Sequence, residues 1–259
     1  MKSYVYRSNL YEKKNNTHLI TFEDGCDYVL KLYKENEDKA LVNEWFSYCI
    51  ARYMQLPISP SYLLELPEAM IDSIPFAEQF RKTSKYFVSK YISDSVNGHE
   101  AHVTNIINRN DLAGIIVFDY WLYNTDRTKK NILLQEKEPG SYFLWIIDQA
   151  EMFGSLSWTV NDLQYVPQKL MKSATHKMMA KFIPHETDLK KQVELIQTIP
   201  TQLLEEILAF VPDELRLSSE EQQEMIKVLN YRRNHILPGL IRKFIKKVYR
   251  PLHASNIQS

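Results

Sequence analysis

Glycine is scarce in this 259-residue chain: six are present, where an average usage of about 7% would give roughly 18. No two of them have the spacing of a G-x-G-x-x-G fingerprint or a G-x-x-x-x-G-K-[ST] loop. Both of those phosphate cradles are excluded, and any nucleotide must be held by other means. Cysteine is rarer still. Cys26 and Cys49 alone make neither a disulfide framework nor a zinc ribbon, and a reducing cytoplasm is the expected setting. No apolar run reaches 18 residues, so no membrane span is expected. The start, Met1-Lys2-Ser3-Tyr4-Val5-Tyr6-Arg7, has no apolar signal core. Lys+Arg and Asp+Glu are equal at 32 each, so no overall basic field points to nucleic acid. His185-Glu186 is not continued to a second histidine and no G-x-S-x-G elbow occurs, which removes zinc-protease and serine-hydrolase signatures.

What is present divides the chain in two. Up to about residue 93, short β-branched and aromatic runs (residues 4–6, 18–22 and 28–33) alternate with polar turn clusters, predicting an antiparallel meander. Leu41, Trp45, Tyr48, Cys49 and Tyr53 recur at helical spacing within residues 38–55, before Leu56-Pro57 stops the run. Two further strands are expected at 61–66 and 86–92. From residue 94 onward the pattern is mainly helical. Asn110 is placed to cap a helix through Leu112, Ile115, Ile116, Phe118, Tyr120 and Leu122. One hairpin interrupts, with strands at 132–134 and 142–147 joined by a charged turn. Helices are then expected around 193–196, 203–210 and 220–249, punctuated by Pro200, Pro212 and Pro238. A β-rich third followed by helices predicts an α+β architecture in two lobes, 1–93 and 94–259.

The chemistry concentrates where an apolar helix empties into Asn124-Thr125-Asp126-Arg127-Thr128-Lys129-Lys130-Asn131, followed by a hairpin ending at Ile146-Ile147-Asp148. Phosphoryl transfer needs a carboxylate beside the acceptor hydroxyl and oxygen ligands that hold Mg²⁺ against the phosphates. In kinase catalytic loops those two functions are five residues apart, as Asp126 and Asn131 are, with a second metal ligand after the next hairpin, as Asp148 is. The spacing alone is weak. Composition predicts about 0.7 chance pairs of this kind, and three occur: Asp38/Asn43, Asp119/Asn124 and Asp126/Asn131. Only the last lies in a polar loop between a helix and a hairpin. Lys31 adds a cation within an apolar strand, where it needs an anionic partner or an exit to water. Glu44, on the next helix, is that candidate partner.

These residues resemble the HipA-like kinases, an atypical branch of the protein-kinase-like superfamily related to phosphatidylinositol kinases. The similarity rests on residues 28–33, on Asn43-Glu44-Trp45 followed by Leu56-Pro57, on Asn124-Thr125-Asp126-Arg127 through Asn131, and on Ile146-Ile147-Asp148. Weaker likeness extends through Ile199-Pro200, Val211-Pro212 and residues 229–233. The resemblance implies a bilobal protein-kinase-like fold with a β-rich N-lobe holding one helix and a mostly helical C-lobe. It implies ATP and Mg²⁺ as cofactors. Lys31 would hold the α- and β-phosphates and Glu44 would orient Lys31. Asp126 would take or orient the acceptor proton, while Asn131 and Asp148 would ligate the metal. Backbone of Lys90, Tyr91 and Ile92 would meet the adenine. The implied acceptor is a protein Ser or Thr hydroxyl, and an antitoxin-like regulator is an implied partner.

The sequence departs from the family pattern in three places. Thr128 stands where a histidine is frequent. Gln149-Ala150 follows the metal aspartate instead of Phe-Gly. The phosphate-covering loop falls at residues 13–18 and contains no glycine; Asn15, Asn16, Thr17 and His18 are its candidate phosphate contacts, with Lys14 adding charge. A nucleotide-binding pseudokinase that works by protein contacts, and a small-molecule or lipid kinase, are the alternative readings. Lys129 and Lys130 are expected to be solvated, Arg127 structural, and Trp121 and Trp145 core. The basic residues Arg232, Arg233, Arg242, Lys243, Lys246, Lys247 and Arg250 are expected to form a solvated positive face.

Overall fold

The computed structural model describes residues 4–10, 16–212, 215 and 217–254. Strands β1 (Tyr4–Asn9), β2 (Thr17–Phe22) and β3 (Asp27–Lys31) form the expected meander. Helix α1 (Ala40–Tyr53) follows, then β4 (Ser61–Glu65), a short α2 (Glu68–Asp72) and β5 (Lys85–Lys90). All five strands pair antiparallel in the order β1-β2-β3-β5-β4. Alternation decides which way β3 faces. Tyr28 and Leu30 are buried with Ile20, Phe22 and Val88 under α2, and Lys31 falls on the opposite face.

Helix α1 packs differently. Leu41, Val42, Phe46 and Ile50 join the large core of the C-terminal half, not the small one under α2. The helix closes with a Schellman arrangement: Leu56 N–H donates to the Ala51 carbonyl at 2.8 Å and Gln55 N–H to Arg52 at 3.0 Å. Gln55 takes the left-handed position at φ 57°.

After β5 come two short strands that the sequence reading missed, β6 (Ser95–Asn97) and β7 (Asn105–Ile106). They flank the predicted hairpin, β8 (Ile132–Glu138) and β9 (Ser141–Ile146), in a second sheet of order β6-β8-β9-β7. Residues 135–138, expected as turn, continue strand β8. Between β7 and β8 lies α3 (Leu112–Leu122), in which every residue is buried, as an all-round apolar helix must be. Asn110 does not cap it. That residue sits in a 3₁₀ turn, Arg109–Asp111, which feeds directly into the helix.

The remainder is helical: α4 (Val160–Gln164), α5 (Ala174–Ala180), α6 (Glu186–Thr198), α7 (Thr201–Ala209), α8 (Ser219–Tyr231), α9 (Leu237–Phe244) and α10 (Arg250–Ala254). Gly114 lets α3 and α6 approach: a Cβ there would meet Leu56 Cδ2 at 2.7 Å and Gln192 Oε1 at 3.2 Å. Pro238 does not end a helix. A π-helical stretch, Arg232–Ile236, joins α8 to α9 without a break, and this local change of pitch accommodates the proline, whose missing N–H leaves one helix bond unmade. Arg232 and Arg233 are also buried rather than part of the basic face; Arg242, Lys243, Lys246, Lys247 and Arg250 are solvated as expected. Among the described residues no helix is long and apolar enough to cross a membrane.

Candidate active site

Three elements converge where β3, α1 and the end of β9 meet. Lys31 pairs with Glu44 of α1 and reaches Asp148 Oδ1 at 3.1 Å. The Tyr33 hydroxyl donates to the same Glu44 carboxylate at 3.2 Å. One ammonium thus serves two carboxylates. Burial disfavours the charged lysine, but Asp148 and Glu44 outweigh it and hold Lys31 above its ordinary pKa. Burial also raises Glu44, an effect that Lys31 only partly offsets. Asp148 adopts φ 59° and is 36% exposed, so the chain turns sharply there and the carboxylate stays open to solvent.

The loop after α3 carries the second group. Tyr123 leaves the helix in the left-handed conformation at φ 53°. The Arg232 guanidinium donates to the Tyr120 and Trp121 carbonyls at 2.8 Å each, placing positive charge where the helix dipole is negative. Asn124 Oδ1 then accepts the Asp126 N–H at 3.1 Å. Asn131 Nδ2 donates both to the Asp126 carbonyl and to its Oδ2, each at 2.7 Å. The predicted Asp126/Asn131 pair is therefore in direct contact, and Asp126 is half-buried.

Arg127 ties this loop to β9. It is 1% exposed and uses all five of its donors. Nε and Nη2 form a fork on Asp119 at 3.0 and 3.1 Å. Nη1 reaches the Asn131 and Ile147 carbonyls at 2.8 and 2.7 Å, and Nη2 also reaches Gln149 Oε1 at 2.6 Å. His176 Nε2 completes the cluster, 2.9 Å from Asp119. Burial alone would raise the Asp119 pKa, yet Arg127 and His176 pull it below the ordinary value. Arg127 is structural, as expected. Its partner was the unread signal, because a lone carboxylate inside an apolar helix such as α3 must be paired.

Two further polar residues were named in the sequence reading without a role. Asn43, fully buried on α1, donates to the Ala150 and Ser155 carbonyls at 2.6 and 3.0 Å and accepts from Trp158 Nε1 at 2.9 Å. Gln149 is 1% exposed, and its N–H donates to Glu44 Oε2 at 2.9 Å. Both bonds span more than 100 residues of sequence, which no local pattern reveals.

The expected phosphate-loop contacts fare less well. Asn15 lies outside the described residues. Asn16 does not take the left-handed conformation, and its carbonyl accepts the Leu32 N–H at 2.8 Å. The buried Thr17 hydroxyl turns to Asn16 Oδ1 at 3.2 Å. His18 is completely buried within β2, opposite Leu30 and on the sheet face away from Lys31. At the expected adenine contact, the Lys90 and Tyr91 N–H groups are already given to the Pro60 and Asp27 carbonyls at 2.8 and 2.9 Å. The Lys90 carbonyl accepts from Ser59, and that of Ile92 from Ser95. The Tyr91 carbonyl and the Ile92 N–H are what remain for a base.

Among the described residues no three or more His, Cys, Asp or Glu side chains cluster as a metal cage. The donor set nonetheless suits Mg²⁺, which takes one or two protein oxygens and fills its octahedron with phosphate and water. Asn131 spends its Nδ2 on Asp126, which turns its amide oxygen away from that residue. Asp148 adds a solvent-open carboxylate. Asp126, Glu44 and Asp148 against Lys31 also leave an excess of negative charge that a divalent cation would balance.

The family model described as HipA-like kinase matches residues 10–244. No curated protein matches. Among solved structures, the Helicobacter pylori proinflammatory kinase CtkA superposes with a TM-score of 0.59 at 13% identity, covering 90% of this chain and 92% of that one. HipA of Shewanella oneidensis MR-1, in a complex with HipB and operator DNA, gives 0.44 at 10% identity over 93% of this chain and 66% of its own. The Rio2 kinase of Chaetomium thermophilum, with ADP and Mg²⁺, gives 0.40 at 14% identity, over 96% of this chain and 71% of its own. The first of these shows that the α+β arrangement is a kinase fold.

Proposed function

The chain belongs to the HipA-like kinase family, and from that premise we propose that it transfers the γ-phosphoryl group of ATP to a protein Ser or Thr hydroxyl, with Mg²⁺. One observation carries the reading: Lys31 is held between Glu44 and Asp148 while Asn131 grips Asp126 in the adjoining loop. In this reading residues 1–93 bind the nucleotide and residues 94–259 supply the loop and the metal ligands. Lys31, already oriented by Glu44, meets the α- and β-phosphates as a fixed cation. Asp126 accepts or orients the acceptor hydroxyl proton, its carboxylate kept in one rotamer by Asn131 Nδ2. The Asn131 amide oxygen and Asp148 hold Mg²⁺. Bound there, the metal supplies charge neutralisation to the phosphate oxygens. Tyr91 and Ile92 offer the backbone acceptor and donor for adenine. A protein substrate and an antitoxin-like regulator, met in the cytoplasm, are the partners that family membership suggests.

The test is incorporation of label from γ-labelled ATP, by autophosphorylation and on a generic Ser/Thr substrate. Asp126→Ala and Asp148→Ala should each lower it by about 100-fold or more, with melting cooperativity retained. Variants as active as the wild type would refute the assignment. The burial of His18 and the tied Thr17 hydroxyl favour a second reading, a pseudokinase that binds ATP without turnover. Calorimetric ATP binding with no label transfer by the wild type would select it.

A further inference from the structure

Gln149 occupies the position after the candidate metal ligand and is buried among three of the groups just described. Its Oε1 accepts from Arg127 Nη2 at 2.6 Å and from Asn124 Nδ2 at 3.1 Å. The orientation of both amides is fixed by the network. Asn124 must present its oxygen to the Asp126 N–H, so its nitrogen faces Gln149, and Gln149 must answer two donors with an oxygen. The Gln149 Nε2 is consequently left buried with no hydrogen-bond partner.

That unmet donor is informative. Buried polar atoms are nearly always paired; an apolar side chain of similar length would spare this one donor but leave the buried Arg127 Nη2 and Asn124 Nδ2 without their acceptor. The glutamine therefore answers a polar demand, not a packing one. The hydrogen bonds indicate the demand. Through Asn124 it reaches the backbone of Asp126. Through Arg127 it reaches the Asn131 and Ile147 carbonyls, on either side of the metal-ligand pair. Its own N–H meets Glu44, the partner of Lys31. Side chain and backbone together thus join Gln149 to all three parts of the site.

We propose that Gln149 is a positioning residue whose side-chain oxygen sets the Asp126–Asn131 loop in register with the turn at Asp148, where its backbone N–H meets Glu44 of the Lys31–Glu44 pair. The inference rests on the kinase reading above. A side chain tied to Arg127 within the loop and to Asn124 just before it does not swing out as a phenylalanine in an apolar slot can. Asp148 is thereby held in one arrangement, with a single state of the metal ligands rather than a switch.

Gln149→Met keeps the volume and removes the acceptor. Gln149→Glu keeps the acceptor and adds a charge that Arg127 faces. Two readouts separate positioning from packing: kcat and KM for ATP in the labelling assay, and the ratio of ATP dissociation constants without and with Mg²⁺, by calorimetry. Gln149→Met should retain a melting transition and bind metal-free ATP within about threefold of wild type. Its kcat should fall by roughly tenfold or more, and its Mg²⁺-dependent gain in affinity should shrink by a similar factor. Gln149→Glu should restore most of both. A Met variant with wild-type kcat and Mg²⁺ ratio would overturn the inference while leaving the kinase reading intact. Equal impairment of Met and Glu variants would overturn it too. A wild type that neither binds ATP nor transfers label would remove the kinase reading and the inference with it.

Discussion

Arg127→Met is the substitution to which this fold should be most sensitive. The guanidinium is buried, forks on a buried carboxylate, and has every donor engaged. Removing one partner of a buried ion pair costs about 3–5 kcal/mol, because the other charge is left without compensation. For a chain of this size that corresponds to a fall in Tm of roughly 6–9 °C. The assay is a double-mutant cycle with Asp119→Asn, melted between pH 5 and 8. In the wild-type background Asp119→Asn strands Arg127 and should destabilise by about 3 kcal/mol. In the Arg127→Met background it removes a buried carboxylate left with His176 alone, and should stabilise, by about 1–3 kcal/mol.

The pH dependence has opposite signs in the two proteins. In the wild type the Asp119 pKa is held below its ordinary value, so its contribution is full above the unfolded pKa and is lost only as pH falls through the folded one. In Arg127→Met burial dominates and the pKa rises, so the variant gains stability as pH falls. The gap between variant and wild type therefore narrows toward pH 5. A gap constant across pH 5–8, or an Asp119→Asn effect of equal size in both backgrounds, would refute the argument.

Glu44→Gln should separate stability from function. Lys31 keeps Asp148 at 3.1 Å, so Tm should move by less than roughly 3 °C, whereas Mg²⁺-ATP affinity should fall about tenfold. The Glu44 pKa is raised by burial, so its ionised form is the less stable one: the stabilising contribution exists below the unfolded pKa and disappears as pH rises. The ion pair needs that ionised form, and ATP affinity measured by calorimetry should therefore decline on acidification before pH 4.5 is reached; a flat profile would count against it. At Gly140, φ is +74° and a Cβ would lie 2.5 Å from Thr104 Oγ1. Gly140→Ala should cost about 1–3 kcal/mol, read as a lower urea midpoint, and an unchanged midpoint would contradict the contact. Gln55, exposed at φ 57° in the Schellman turn of α1, is the converse case. Gln55→Gly should raise stability by about 0.5–1 kcal/mol, and a lower midpoint would show that the side chain has a role outside the turn.

The parts legible in the sequence were those that a short window or a charge out of place can reveal. Alternation gave β2 and β3, the apolar run gave α3, and Lys31 in an apolar strand called for Glu44. Strands of three and two residues such as β6 and β7 carry no periodicity of their own. They exist because β8 and β9 offer unpaired edges. Arg232 and Arg233 read as part of a basic stripe because a π-helical stretch shifts which side of the helix they face. Their carbonyl partners, at Tyr120, Trp121 and Ile199, lie 34 or more residues away. The same distance problem hid Asn43 and Gln149, whose burial is intelligible only once α1 lies against the turn after Asp148. Loop residues 16–18 differ for another reason. Ladder pairing of β2 with β3 begins at Thr17, which sets Thr17 opposite Lys31 and His18 opposite Leu30, on the other face of the sheet.

The shortage of glycine acquires a structural meaning in that setting. Among the described residues, six non-glycine positions have positive φ, against three glycines, and such a conformation costs an L-residue about 1–2 kcal/mol. Two of the six, Tyr123 and Asp148, stand on either side of the Asp126–Asn131 loop. A glycine at either position would relieve the strain but also free the chain to leave the conformation. Side chains hold it instead. The Arg232 guanidinium lies 5.5 Å from the Tyr123 ring, and Lys31 holds the Asp148 carboxylate. Gln149, the next residue, is bonded to Glu44, Asn124 and Arg127. The strain at Asp148 is therefore borne by the same contacts that align Lys31 with Asp126. Loss of any one of them should loosen the turn at Asp148 before it unfolds the protein.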